Sequence, residues 1–280
     1  MVKISADSTC DLSPELLKRY DVAIQPLYIV RDDASLRDGV DIRPTDIFAY
    51  VEKTGRLLKT AAVSVEDYIE LFRRRTADGS EVVHITISAE MSACYQNACL
   101  AAREVPGVYL VDSRNLSTGM GLVVIEAAKR AQAGESGADI QKAMEELTPR
   151  VEASFVIDRL DYLYKGGRCS ALAALGANLL HLKPCIEVRN GKMGVGRKYR
   201  GAYEKVLRQY AYDRLHGRED IDRERAFITW STCPQPALDA VRAVCREEGH
   251  FDELLETQAG CTICNHCGPN TLGVLFVRKA

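Results

Sequence analysis

The 280-residue chain lacks several features that would assign it to a class of protein at once. Its formal net charge is only −2, so the charge gives no reason to expect a nucleic-acid partner. No run approaches the ~18 consecutive apolar residues of a membrane span. The opening residues, MVKISADST, have no apolar segment of a secretory signal, and the P-loop motif GxxxxGK[ST] does not occur. We therefore expect a soluble, cytoplasmic protein without a membrane span or a nucleic-acid partner.

Cysteine, in contrast, is abundant, with 10 residues. Disulfide frameworks belong to small secreted chains, so most of these thiols are expected as reduced core residues. Three of them, Cys261, Cys264 and Cys267, surround His266 in the run CTICNHCGP. A zinc site needs four ligands, and the cysteine run of bacterial ferredoxins ends in a fourth cysteine that this chain does not have. The pattern favours cysteines that bind no metal, with a metal site as the alternative.

The first half of the chain alternates short apolar runs with helical patterns. Such an alternation is typical of βαβ units and a largely parallel sheet. The predicted strands are VKISAD, AIQPLYIV, EVVHITIS and GVYLVDS, and the predicted helices are PELLKRY, VEDYIELFRRR, ACYQNACLAAREV and MGLVVIEAAKRAQAG. Ser13 and Ser64 precede the first two helices and are predicted to be their N-caps.

The second half has a different order of elements. The strand SFVID is followed by a helix rich in small residues, SALAALGANLL, and then by two strand-like runs joined at Asn190-Gly191. Asn-Gly between such runs is a strong hairpin signal. Two further helices and two strands, RAFITWS and LGVLFVR, follow. We predict an α/β fold with an N-terminal Rossmann-like parallel-sheet domain, residues 1–150, and a C-terminal mixed α+β domain, residues 151–280.

Several hydroxyl residues stand where a strand or an extended run gives way to a helix: Ser8, Thr9, Thr60, Ser92 and Ser113. In open parallel sheets the ligand crevice lies at the carboxyl ends of the strands, where helix N-termini favour anions. For any single hydroxyl, a helix cap is the simpler interpretation. Several hydroxyls at one crevice would indicate a site for a carboxylate or phosphate.

A series of short stretches resembles one known family. They are DSTCDL at 7–12, LRDGVDI at 36–42, Thr60 with Ser64, ISAEMSACYQNA at 87–98, VDSRNLSTGMG at 111–121, LDYLYKGGRCS at 160–170, LLHLKP at 179–184, and HCGP at 266–269 with Leu272-Gly273. In this order they are similar to the DegV family of bacterial fatty-acid-binding proteins, which present an acyl chain to a separate fatty acid kinase. The resemblance implies a two-domain DegV-type fold and a non-enzymatic protein. It also implies a long-chain fatty acid such as palmitate as the ligand, and no other cofactor.

The resemblance also assigns roles to residues of this chain. It places the fatty-acid carboxylate on Thr60 and Ser92, with His266 beside the head group. Asp38 corresponds to an acidic position that would orient the imidazole, since an acid–histidine pair fixes the tautomer.

Two arginines also match basic positions of the family, whereas three short stretches differ from its motifs. Arg168 and Arg200 match positions that the family places near the head group and the kinase-docking face. TAAVS replaces the family's TSQPS, MSACY replaces LSGTY, and GPN replaces GPG. These departures leave the preferred length and saturation of the acyl chain open.

Two other functions stay open from the sequence. One is a metal-binding protein that uses Cys261, Cys264 and Cys267. The other is an enzyme of the related dihydroxyacetone-kinase fold, in which His266 acts on a small carbonyl substrate. An acyl-binding protein predicts an apolar cleft with a polar tip, whereas the enzyme predicts a closed, polar pocket.

Overall fold

The computed structural model describes residues 1–169 and 182–280. Its strands in chain order are β1 (Val2–Asp7), β2 (Val22–Gln25), β3 (Tyr28–Arg31), β4 (Ala34–Arg37), β5 (Lys59–Ala61), β6 (Glu81–Thr86), β7 (Val108–Asp112), β8 (Val151–Val156), β9 (Leu182–Arg189), β10 (Lys192–Arg200), β11 (Ile221–Trp230), β12 (Glu253–Gln258) and β13 (Leu272–Arg278). Its α-helices are α1 (Pro14–Arg19), α2 (Pro44–Thr54), α3 (Val65–Thr76), α4 (Cys94–Ala102), α5 (Ser117–Gln132), α6 (Gly137–Leu147), α7 (Leu160–Gly166), α8 (Tyr203–Leu215), α9 (Gln235–Val244) and α10 (Cys261–Cys267).

The first sheet is fully parallel, in the order β2-β1-β6-β7. Its central strands are buried on both faces, as expected where helices cover a parallel sheet. The two predicted caps are confirmed, because the Ser13 hydroxyl accepts from Leu16 N at 3.3 Å and that of Ser64 from Asp67 N at 3.1 Å. The sequence therefore predicted the parallel arrangement of this sheet and the starts of these two helices correctly.

One predicted strand, AIQPLYIV, is in fact two strands in different sheets. It is interrupted around Pro26: β2 ends at Gln25 in the parallel sheet, and β3 begins at Tyr28 in an antiparallel sheet ordered β4-β3-β5. Proline has no N–H to donate to a ladder, so it ends the pairing of the first strand. The small antiparallel sheet was not predicted, because its outer strands are short and have no clear apolar alternation.

The second large sheet is mixed, in the order β10-β9-β8-β13-β11-β12. Among the described strands of this sheet, only β11 and β12 pair in parallel. The predicted hairpin is confirmed, with φ of +51° at Asn190 and +81° at Gly191, the signs that a type I′ turn requires. The predicted helix SALAALGANLL lies outside the described residues.

Helix α5 joins the two large sheets into one packed unit. It contacts β1 and β6 on one side and β8 and β13 on the other, and 11 of its 16 residues are buried. One hydrophobic cluster therefore contains residues of both sheets, from Ile4 to Leu275. The predicted α/β class is confirmed, and the boundary at residue 150 stays a prediction. Among the described residues, no helix has the length and apolar character needed to cross a membrane.

Candidate functional site

The candidate site is organised around α10, the short helix that carries His266. The carboxylate of Asp38 accepts hydrogen bonds from Cys261 N at 2.9 Å, Thr262 N at 3.0 Å and Thr262 Oγ1 at 2.7 Å. These groups form the first turn of the helix, whose N–H groups have no partner within the helix. The loop that follows β4 thus fixes the helix by its N-terminus.

This arrangement corrects the predicted pairing of Asp38 with His266. The carboxylate is occupied by the start of α10, while the imidazole lies in the last turn of the same helix. Among the described residues, His266 Nδ1 has no hydrogen-bond partner. A carboxylate is attracted by the free N–H groups and the positive end of the helix dipole. Asp38 therefore orients the helix that carries the histidine and not the ring itself.

A second carboxylate, that of Asp11, holds the residue before the same helix. Its Oδ1 accepts from Gly260 N at 2.9 Å and its Oδ2 from Ser117 Oγ at 2.6 Å. Burial raises the pKa of Asp11 to about 8, so this group is largely protonated near neutral pH. Asp11 lies within the DSTCDL stretch, but sequence reasoning assigned it no role.

Thr60 and His266, which are 206 residues apart in the chain, are hydrogen-bonded to each other. The Thr60 Oγ1 to His266 Nε2 distance is 2.9 Å. Burial of the ring, and then the positive charge of Arg168, lowers the pKa of His266 to about 4. The imidazole is therefore neutral at pH 7 and has one N–H to donate. If Nε2 carries that proton, the Thr60 hydroxyl is free to donate to a ligand.

The last residue of α7, Gly166, lies next to Nδ1 of this imidazole. A methyl group on Gly166 would lie less than 3.0 Å from His266 Nδ1. The guanidinium of Arg168, two residues further on, donates to Gly166 O at 2.8 Å and is itself exposed. The run KGGR therefore provides both the space for the ring and a cation near it.

Thr60, Ser92, His266 and Arg168 line one cavity of about 50 Å³. Most of its other walls are apolar: Leu27, Ala61, Ala62, Ile87, Met91, Leu116, Met193, Ile263 and Cys267. A second cavity of about 30 Å³ shares Leu116, Ile263 and Cys267 as walls. Its other walls include the apolar side chains of Ala153, Phe155, Trp230, Ala259 and Leu275 and four hydroxyl residues, Ser117, Thr229, Ser231 and Thr271. The first cavity thus has a polar end and an apolar remainder.

Only two of the five hydroxyls considered from the sequence line this cavity, Thr60 and Ser92. The other three make hydrogen bonds inside the protein: Ser8 to Asp38, Thr9 to the sulfur of Met120, and Ser113 to Asn115 O. For these three, a role in local structure is sufficient. The convergence of all five at one crevice is therefore not found.

Arg200, the remaining predicted site residue, is exposed at the end of β10 and is not among the residues that line the cavity. The structure thus brings four of the predicted residues to one cavity. Asp38 is not among the lining residues but is hydrogen-bonded to one of them, Thr262.

The three cysteines of α10 are buried and point at different neighbours. Cys261 Sγ donates to Ile42 O at 3.2 Å, and Cys264 Sγ donates to Ala259 O at 3.3 Å. Burial raises the pKa of Cys267 to about 12 and raises the pKa values of the other two thiols as well. The three thiols are therefore protonated near neutral pH in this environment. Across residues 1–169 and 182–280, no cluster of His, Cys, Asp and Glu has an arrangement for holding a metal ion.

These features define a protein of two large sheets with an apolar cavity that ends in hydroxyls and an imidazole. A model of the DegV family matches residues 1–279, and the chain belongs to that family.

Relatives support the same assignment over the full length of the chain. A DegV domain-containing protein of Caldanaerobacter subterraneus subsp. tengcongensis is 31% identical, covering 99% of both chains. A fatty acid-binding protein of Thermotoga maritima is 29% identical, covering 97% of this chain and 96% of its own.

Solved structures give the same result for the fold. A fatty-acid-binding DegV family protein from Thermus thermophilus is 30% identical, with a TM-score of 0.88 and 99% of both chains covered. A stearic acid-binding protein from Eubacterium ventriosum is 26% identical, with a TM-score of 0.85, covering 100% of this chain and 99% of that one.

Proposed function

We propose that this protein binds a long-chain fatty acid and presents its carboxylate to a separate fatty acid kinase. In this role the protein is not itself an enzyme. The kinase transfers the γ-phosphoryl group of ATP to the carboxylate oxygen, which yields an acyl phosphate and ADP. The protein supplies the bound acid in a fixed position.

The observation that carries the proposal is the Thr60–His266 pair at the polar end of an otherwise apolar cavity. A neutral imidazole that donates to Thr60 Oγ1 leaves the threonine hydroxyl as a donor toward the carboxylate. Ser92 offers a second hydroxyl in the same cavity, and exposed Arg168 adds a positive charge at its edge. Hydrogen bonds to a charged group contribute about 1.5–3 kcal/mol each.

Most of the affinity must come from the acyl tail. Burial of ~0.8 kcal/mol per CH₂ gives roughly 10 kcal/mol for a tail of palmitate length, before ordering costs. Pockets for ligands of this size measure ~300–1,000 Å³, whereas the two cavities here measure about 50 and about 30 Å³. Entry of the tail therefore requires the walls to move. The flexible side chains of Met91 and Met193 and the shared wall at Leu116 are suited to this.

Delivery to a kinase requires an accessible head group. Arg168 is exposed and lines the cavity, and Tyr164 in the preceding turn is 61% exposed. A carboxylate held by hydroxyls next to this surface stays within reach of a partner. Arg200 is also exposed, and we propose it as part of the surface that contacts the kinase.

The carbonyl-enzyme alternative is less well supported by the same cavity. Catalysis on a small polar substrate favours a polar pocket, whereas nine of the cavity walls here are apolar. The metal alternative is less well supported because Cys261 and Cys264 point at different carbonyl oxygens, and within residues 1–169 and 182–280 no cluster of His, Cys, Asp and Glu is arranged to hold a metal ion.

The test begins with protein purified from a bacterial host, extracted and analysed by mass spectrometry for fatty acid. We expect a co-purified long-chain acid in the wild type and little in the double variant Thr60→Val, Ser92→Ala. The control is Cys233→Ser, which lies outside the cavity. Repeated preparations without lipid, or a larger loss in the control than in the double variant, would refute the binding proposal.

A second assay addresses the kinase. Palmitate-loaded protein is mixed with a purified bacterial fatty acid kinase and ATP, and the acyl phosphate is trapped with hydroxylamine. Product that depends on this protein is expected. Binding of fatty acid without any such product would leave the binding role intact and refute the presentation role. Less than about a tenth of an equivalent of zinc or iron in the same preparation would argue against the metal alternative.

A further inference from the structure

The hydroxyl of Ser92 is hydrogen-bonded to a buried thiol, that of Cys94. Ser92 Oγ donates to Cys94 Sγ at 3.2 Å, and Cys94 N donates back to Ser92 Oγ at 3.3 Å. Cys94 is the first residue of α4 and is 0% exposed, whereas Ser92 lines the cavity. The side chain of Ser92 is therefore tied to the protein interior by two hydrogen bonds.

The thiol belongs to a larger buried network at the carboxyl end of β1. The Tyr68 hydroxyl donates to Asp7 Oδ1 at 2.6 Å. Burial, and then the negative charge of Asp7, raise the pKa of Cys94 to about 12, although hydrogen bonds with Ser92, the Val63 backbone and Tyr68 partly oppose this increase. Tyr68 is thus adjacent to both the carboxylate and the thiol.

Asp7 also fixes the segment that leads to Ser92. Its Oδ2 accepts from Ile87 N at 3.1 Å, and Ile87 is a wall of the cavity. His84 Nε2 lies 3.3 Å from Oδ1, and its Nδ1 lies 2.9 Å from Ser5 Oγ. These three residues, Ser5, His84 and Asp7, have the composition of a catalytic triad, but each is 0% exposed and therefore inaccessible to a substrate.

We propose that Cys94, supported by Tyr68 and Asp7, is a positioning residue that aims the Ser92 hydroxyl at the ligand carboxylate. This inference rests on the proposed fatty-acid binding. Sulfur is a weak hydrogen-bond acceptor, so the Ser92 proton moves from Sγ to a carboxylate at little cost. The Cys94 thiol then donates its own proton to Ser92 Oγ, which also continues to accept from Cys94 N, so the thiol and the N–H together keep the oxygen in position.

The proposal predicts an effect on the head group only. The hydrogen bonds of the network reach the side chain of Ser92 and, at the apolar walls, the backbone N–H of Ile87. A carboxylate forms a stronger, charge-assisted bond with the hydroxyl than a neutral alcohol does. The ratio of affinities for palmitate and 1-hexadecanol therefore reports the orientation of Ser92.

The test uses Cys94→Val and Cys94→Thr. The side chains of valine and threonine have nearly the same shape, but threonine has a hydroxyl where valine has a methyl group. Binding of palmitate and of 1-hexadecanol is measured by competition with a fluorescent fatty acid, alongside thermal unfolding. We expect Cys94→Val to weaken palmitate binding about fivefold to tenfold and hexadecanol binding less than about twofold. Cys94→Thr should keep palmitate binding within about twofold of the wild type.

Tyr68→Phe provides a second variant that keeps the ring packed at 5.7 Å from that of Phe72. A palmitate-specific loss of about twofold to fivefold is expected. If neither Cys94 variant folds, this variant decides the question, and an unchanged palmitate affinity refutes the proposal.

The remaining outcomes are also decisive. Equal palmitate affinities for the valine and threonine variants would refute the positioning role. Parallel losses for palmitate and hexadecanol would also refute it, because they would indicate a general effect on the cavity. A wild type that binds neither ligand would instead refute the proposed function on which the inference rests.

Discussion

Replacement of Gly166 by alanine gives the sharpest test of the Thr60–His266 pair. Gly166 ends α7 with an ordinary negative φ, so alanine causes no backbone strain there. Alanine in a helix is usually favoured over glycine by roughly 0.5–1 kcal/mol. From local propensity alone, the substitution should therefore be harmless or stabilising.

The tertiary contact predicts the opposite result for binding. The new methyl group would lie less than 3.0 Å from His266 Nδ1, and an ordinary contact is ~3.5 Å. The ring must move away by roughly 0.5–1 Å. The Thr60–His266 hydrogen bond, now 2.9 Å, then leaves the ~2.7–3.2 Å range of a good bond. A lost hydrogen bond of about 1 kcal/mol predicts about a fivefold weaker affinity for palmitate, and more if Thr60 loses its orientation.

The assay combines palmitate titration with NMR titration of the His266 ring. Gly194→Ala is the control, because a methyl group there meets no atom within 4 Å and the backbone φ is ordinary. We expect Gly166→Ala to weaken binding and to raise the pKa of His266 from about 4 toward its ordinary value, as the ring regains water. Wild-type affinity together with an unchanged His266 pKa would show that the ring is not confined as described.

Three further predictions concern the groups that hold α10 and its histidine. Asp38→Ala should lower the free energy of unfolding, measured in urea, by about 2–3 kcal/mol, because it leaves the N–H groups at the start of α10 unpaired. A decrease of less than about 0.5 kcal/mol would contradict the capping role. Asp11, with its pKa raised to about 8, stays protonated in the folded state while the unfolded chain ionises near pH 4. The contribution of Asp11 to wild-type stability should therefore fall between about pH 4 and pH 8, by at most about 1.4 kcal/mol per pH unit, and Asp11→Asn should lack this slope in urea unfolding at about pH 6.5 and pH 8, above the range in which His266 titrates. His266, with its pKa lowered to about 4, should contribute stability that is lost as pH falls from about 6.5 to about 4, and a ring-nitrogen NMR midpoint above pH 6 would contradict its buried, neutral state.

The order of strands and helices in this protein follows from local sequence. The apolar runs of the parallel sheet, the caps at Ser13 and Ser64, and the Asn190-Gly191 turn each depend on a few adjacent residues. The family motifs likewise indicated Thr60, Ser92 and His266 before any contact was known. Pro26 carried the signal that divides AIQPLYIV into two strands, but periodicity alone obscured it.

The contacts of the site were decided by tertiary structure. Thr60 and His266 are 206 residues apart, and their pairing depends on how α10 packs against the small antiparallel sheet. Asp38 faces the start of α10 because helix N–H groups attract a carboxylate, whereas the motif alone suggested the imidazole. The need for glycine at 166 arises from a ring 100 residues further along the chain. Periodicity and capping act over one or two turns, but a site is built from residues that only the packed core brings together.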